Sequence, residues 1–99
     1  METITFHTKY PRKRTVPMLY STLKKETSLI LAQLKTLEKQ KREFEGKYGM
    51  SSEEFYEKFE GGRLGDKQDF FLWASSIDIY SRLKDEYDIL MGLVKQCKV

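Results

Sequence analysis

The side chains able to do chemistry in this 99-residue chain are few and scattered. His7 is the only histidine and Cys97 the only cysteine. A general base needs an acid or nucleophile set beside it, and most metal sites need several Cys or His ligands. His7 therefore reads as a solvated residue and Cys97 as a terminal packing thiol. Glu53, Glu54, Glu57, Glu60, Asp66 and Asp69 form a run of carboxylates. Oxygen-only ligands suit Mg²⁺, but helix capping and a solvated helix face account for most of these acids. Gly61-Gly62-x-x-Gly65 resembles a phosphate loop only superficially, since no strand precedes it and no Lys-Ser/Thr follows. We expect no metal, no cofactor and no enzyme.

Two stretches carry binding chemistry instead. Lys9-Tyr10-Pro11-Arg12-Lys13-Arg14 sets four cations beside an aromatic, a composition suited to phosphate contacts. Lys9, Arg12, Lys13 and Arg14 are the candidate nucleic-acid residues. The charge is concentrated: residues 1–25 hold six Lys/Arg against Glu2, and the rest of the chain is slightly acidic within a net charge of +3. The second stretch holds Phe55, Phe59, Phe70, Phe71 and Trp73. Aromatics can stack on bases, but at helical spacing they more often form core. Phe71 and Leu72 fall beside the apolar stripe and are the candidates for a surface that meets another chain.

The elements that must hold these residues are helices. No Gly or Pro occurs from Met18 to Glu45. Leu23, Ile30, Leu37 and Phe44 recur every seven residues, interleaved with Tyr20, Thr27, Leu34, Lys41 and Tyr48. That is a coiled-coil seam with Thr27 and Lys41 as polar interruptions, Lys41 laying its stem on the seam. The pattern predicts a helix over 18–47, with Pro17 in its first turn, Thr15 near the cap and Gly49 ending it. Ser51-Ser52-Glu53-Glu54 predicts a capping box and a short helix over 52–60, stopped by Gly61-Gly62. Asp66 suits the cap of a last helix over 67–96, with Asp69 in its first turn. Its seam reads Phe70, Trp73, Ile77, Tyr80, Lys84, Tyr87, Met91 and Val94.

Two long helices joined by a compact tip fold back antiparallel. The expected architecture is an all-α helical hairpin, 18–99, with the Phe55/Phe59 helix across its end covering Phe70 and Trp73, and Leu64 tucked into the tip. Residues 1–17 are expected to be an arm. Residues 2–8 alternate strand-formers in a period of two, so they read as a strand in need of a pairing partner. Each helical stripe is wider than one neighbour requires, which predicts a homodimeric bundle. No apolar run approaches the ~18 residues of a membrane span. No apolar stretch of signal-peptide type opens the sequence, and one cysteine suits a reducing compartment, so a cytoplasmic location without membrane contact is expected.

The tip also carries a resemblance. Lys47-Tyr48-Gly49-Met50-Ser51, Glu54-Phe55, Phe59, Gly62-x-Leu64-Gly65-Asp66 and Asp69-Phe70-Phe71-x-Trp73 resemble a family of short prokaryotic proteins, frequent in archaea. That family is similar to the antitoxins of type II toxin–antitoxin pairs. The likeness covers about a third of the chain. It departs at Leu72, where the pattern usually has an acid, and in the basic, two-proline arm. The resemblance implies a protein that neutralises a cognate toxin by occluding it. Phe71, Leu72, Trp73 and Tyr80 are then the partner-binding residues, and the basic arm adds contact with operator DNA. The alternative is a nucleic-acid-binding adaptor acting through residues 9–14.

Overall fold

In the computed structural model, which describes residues 5–97, three helices follow one another. They are α1 (Arg12–Tyr48), α2 (Ser52–Glu60) and α3 (Gln68–Gln96). α1 and α3 pack antiparallel as a rod with extents of 58 × 24 × 18 Å. The hairpin and its short tip helix are as expected. Among the described residues none is in a strand: residues 5–8 lack regular structure, and 2–4 of the expected strand lie outside the described residues.

α1 begins six residues earlier than its spacing predicts. Pro11 is the N-cap, with φ −69° and ψ 152°. Its carbonyl accepts from the N–H groups of Arg14 (2.9 Å) and Thr15 (3.1 Å). Thr15 is not the cap: its hydroxyl donates to the Arg12 carbonyl within the first turn. Pro17 therefore sits inside the helix. Its missing N–H removes one bond of the ladder, on an exposed turn where water can meet the freed carbonyl. Arg12, Lys13 and Arg14 thus belong to α1 and not to a linker.

The other end of α1 follows the sequence closely. Gly49 takes the left-handed conformation (φ 65°), and its N–H donates to the Glu45 carbonyl. Ser51 caps α2, its Oγ accepting the Glu54 N–H at 3.1 Å. The second half of the expected box is made differently. Glu54 pairs with Lys58 (3.2 Å), and Glu45 of α1 accepts the Ser52 N–H at 2.9 Å. One first-turn N–H of α2, which has no partner within its own helix, is thereby satisfied from the preceding helix.

Two corrections concern α3. Its N-cap is Lys67, with no side-chain cap bond, and not Asp66. Half of its seam also shifts by one position: Trp73, Tyr80, Tyr87 and Val94 stay, while Ser76, Leu83 and Leu90 replace Ile77, Lys84 and Met91. Ser76, Leu83, Val94 and Cys97 are buried, whereas Lys84 is exposed and bonded to Asp88 at 2.8 Å. Counting from Trp73, the positions 76, 80, 83, 87, 90, 94 and 97 alternate by three and four, a strict seam. Apolarity pointed to Ile77, but the small Ser76 lets α1 approach. Its hydroxyl bonds the Leu72 carbonyl (2.9 Å) and the Gln40 side chain (3.4 Å).

The core has two parts. The mid-rod part is Ile30, Leu34 and Leu83, flanked by Leu37, Tyr80, Tyr87 and Leu90. The tip part is Phe55, Phe70, Trp73 and Ala74, closed by Phe44, Tyr48, Met50, Phe59, Leu64 and Ile77. Lys41 lies on the seam as expected, its ammonium 4.8 Å from the centre of the Tyr80 ring.

Candidate partner-binding surface at the tip

The tip is rigid because its aromatics form one stack. The Phe55 and Trp73 rings lie 3.9 Å apart and 5° from parallel. Phe44 and Tyr48 stack on Trp73 at 5.6 and 5.9 Å. The indole N–H donates to the Ser52 Oγ at 2.9 Å, so the buried Trp73 leaves no polar atom unmet. The Ser52 hydroxyl and N–H in turn hold the Glu45 carboxyl below its ordinary range, outweighing the opposing effect of burial.

A polar staple fixes where α3 starts against where α1 ends. Asp69 accepts from Lys47 Nζ and from the Tyr48 hydroxyl, both at 2.7 Å. The Lys47 bond first, then the Tyr48 bond, holds the Asp69 carboxyl below the usual carboxylate value. By the same contacts the Lys47 ammonium and the Tyr48 phenol are raised, the bond to Asp69 being the first cause for each. The acid lies in the first turn of α3 and the lysine in the last turn of α1, so both helix dipoles favour the arrangement. A second staple joins Tyr56 of α2 to Asp78 of α3 at 2.8 Å. Bonds to Asp78 and then Glu60 push the Tyr56 phenol up to about 12.

On this frame the four residues expected to bind a partner separate. Phe71 and Leu72 are 52% and 50% exposed. Phe71 is steered by an edge-on contact with Phe59, ring centres 5.5 Å apart. Leu72 borders a groove along the rod with Leu37, Gln40, Ser75 and Ile79. Trp73 is 0% exposed and cannot touch a partner. Consecutive helical residues point about 100° apart, and the third member of the triplet faces inward. Tyr80 is half-buried and lines the groove on the other side of the rod, with Leu31, Lys35 and Tyr87. Leu29, 62% exposed, is one of the residues that widen the α1 stripe; sequence reasoning missed Ile89, 65% exposed. Neither falls on a seam position, and that was the available signal.

At the far end Lys9, Arg12, Lys13 and Arg14 are all exposed. Lys9 Nζ and the Arg14 guanidinium approach the Tyr10 ring at 5.7 and 5.6 Å. The first turn of α1 holds no acid, so three cations add to the positive end of its dipole. His7 is exposed and Cys97 is buried. Among the described residues no three His, Cys, Asp or Glu side chains gather as a metal site, and no helix is long and apolar enough to cross a membrane.

No known protein family, no curated protein and no solved structure matches this chain.

Proposed function

We propose that this chain is a non-enzymatic interaction protein of the antitoxin kind, which binds a cognate toxin in the cytoplasm and occludes it. The observation that carries the reading is the adjacent pair Phe71–Leu72, half-exposed on a helix end that the Trp73 stack and the Asp69 staple hold rigid. Preorganised apolar side chains bind without a large ordering cost, and buried aromatic anchors dominate interface energies. Burying the exposed halves of these two side chains contributes on the order of 1 kcal/mol each, about fivefold in affinity each. Trp73 acts in this reading as the support of the patch and not as a contact.

The test is co-expression and pull-down with the product of the neighbouring open reading frame. The expected result is a toxic neighbour rescued by this chain, with binding weakened at least tenfold by Phe71→Asp or Leu72→Asp at unchanged helicity. A neighbour that is harmless alone and does not bind refutes the reading.

A second reading is nucleic-acid binding through Lys9, Arg12, Lys13 and Arg14, supported by the acid-free first turn of α1 and the adjacent Tyr10. Phosphate contacts make affinity fall steeply with salt. A titration of duplex DNA against salt is expected to lose most of its slope when these four residues are replaced by Ala. A flat slope in the unmodified chain removes this reading.

A further inference from the structure

The rod has two long sides, and they differ. One is a groove floored by Leu31, Leu34, Tyr80 and Tyr87 and bordered by Lys35, Glu38, Arg42 and Lys84. The other holds Leu72, Ile79 and Leu37 among Gln40, Ser75 and Ser76. Steps of seven residues carry this second side along the rod. From Ser75 they reach Ile89, and eighteen residues, five full turns, set Leu29 in line with Lys47 on the same side. Leu29 and Ile89 are the most exposed apolar residues between the tip and the start of the α1 seam.

The hairpin register sets these two residues nearly level. Tyr48 meets Asp69, Phe44 meets Trp73 and Gln40 meets Ser76. The same step brings Leu37 level with Ile79 and Tyr80, and Leu29 level with Tyr87 and Asp88, within one to two residues of Ile89. Charge is also divided between the helices. Over residues 21–48, the part level with α3, α1 carries seven Lys/Arg against four Glu, net +3, whereas α3 carries three Lys/Arg against five acids, net −2.

We propose that a second copy of this chain docks on the Leu29–Leu37–Ile79–Ile89 side, with the two-fold axis parallel to the rods. α1 of each copy then lies against α3 of the other, and every neighbouring pair in the four-helix bundle is antiparallel. An axis along the rods leaves height unchanged, so Leu29 of one copy meets Ile89 of the second, twice by symmetry. Turning the second copy end for end sets α1 against α1 and places like charges together. α3 is about 43 Å long at ~1.5 Å per residue, and two helices present a face about 20 Å wide. The face therefore covers on the order of 800 Å² per copy, the size of a stable interface. Both tips come to the same end; Leu72, which borders the docked groove, is then partly covered by the second copy, whereas Phe71 stays outside it. The pairing does not depend on the toxin-binding reading.

The experiment is sedimentation equilibrium of the full chain across the micromolar range. The expected mass is twice the 11.8 kDa of one chain. Leu29→Asp and Ile89→Asp are each expected to weaken self-association at least tenfold, whereas Leu31→Asp, on the other side of the rod, leaves it unchanged. Circular dichroism confirms that each variant keeps its helicity. Orientation is read in a Cys97→Ala background by mixing Leu29→Cys chains with Ile89→Cys chains and adding a short thiol–thiol cross-linker. Mixed 29–89 pairs are expected. A monomer mass at all concentrations, a dimer indifferent to both Asp variants, or exclusively like-with-like cross-links overturns the proposal.

Discussion

Removing the Ser52 hydroxyl is expected to cost more than its size suggests. Ser52 is 3% exposed and its Oγ accepts the Trp73 indole N–H at 2.9 Å in a buried site. Ser52→Ala deletes the acceptor and strands that N–H, a penalty of about 1–3 kcal/mol. Trp73→Phe removes the donor and part of the ring while leaving an aromatic to stack on Phe55, at a cost of about 2 kcal/mol. The double variant has no stranded donor, so its cost is expected to fall short of the sum of the singles by about 1 kcal/mol or more. The assay is urea unfolding followed by circular dichroism at fixed protein concentration, since Trp73 is the only fluorescent indole. A loss of about 2 kcal/mol lowers the melting temperature of a chain this size by roughly 10 °C. A Ser52→Ala variant within about 0.5 kcal/mol of the original, or strictly additive costs, refutes the reasoning.

Other outcomes follow from the same tip. Asp69 has a folded pKa below its unfolded value, so its contribution is fully present above about pH 4 and is lost as pH falls through the folded pKa. Asp69→Asn is expected to be less stable at neutral pH and to lose less on acidification, measured as melting temperature from pH 7 to 2. The Tyr56 phenol is raised to about 12, so its contribution is present below about pH 10 and is lost as pH rises through 12. An ultraviolet titration is expected to show two late tyrosines, Tyr48 and Tyr56, the later of which disappears in Tyr56→Phe. Gly49 holds φ 65°, and Gly49→Ala is expected to destabilise the chain by about 1–2 kcal/mol in denaturant unfolding.

Much of the architecture is legible in the residues because local rules suffice for it. The α1 seam from Leu23 to Tyr48 packs as its spacing says, with Thr27, Ile30 and Leu34 buried. Gly49 and Ser51 end one helix and start the next by chemistry confined to a few neighbours. The start of α1 was not legible, because spacing finds a packed face and residues 12–17 have no neighbour to pattern them. Pro11 nucleates the helix from its carbonyl alone, and Pro17 is tolerated on an exposed turn.

What the sequence by itself determined is periodic or local: two rods, a short cap between them, and an aromatic elbow. Each is set by dihedral preferences and by apolar residues that repeat at the pitch of a helix. What only the tertiary structure decided is which polar atoms meet across the rods. Ser76 entered the seam because Gln40 stands opposite, Asp69 became a staple because Lys47 and Tyr48 end beside it, and Trp73 turned inward because Phe55 and Ser52 wait there. Those choices depend on partners 18 to 36 residues away in the chain. No window of sequence carries that distance, since it is set only when the two helices lock in register.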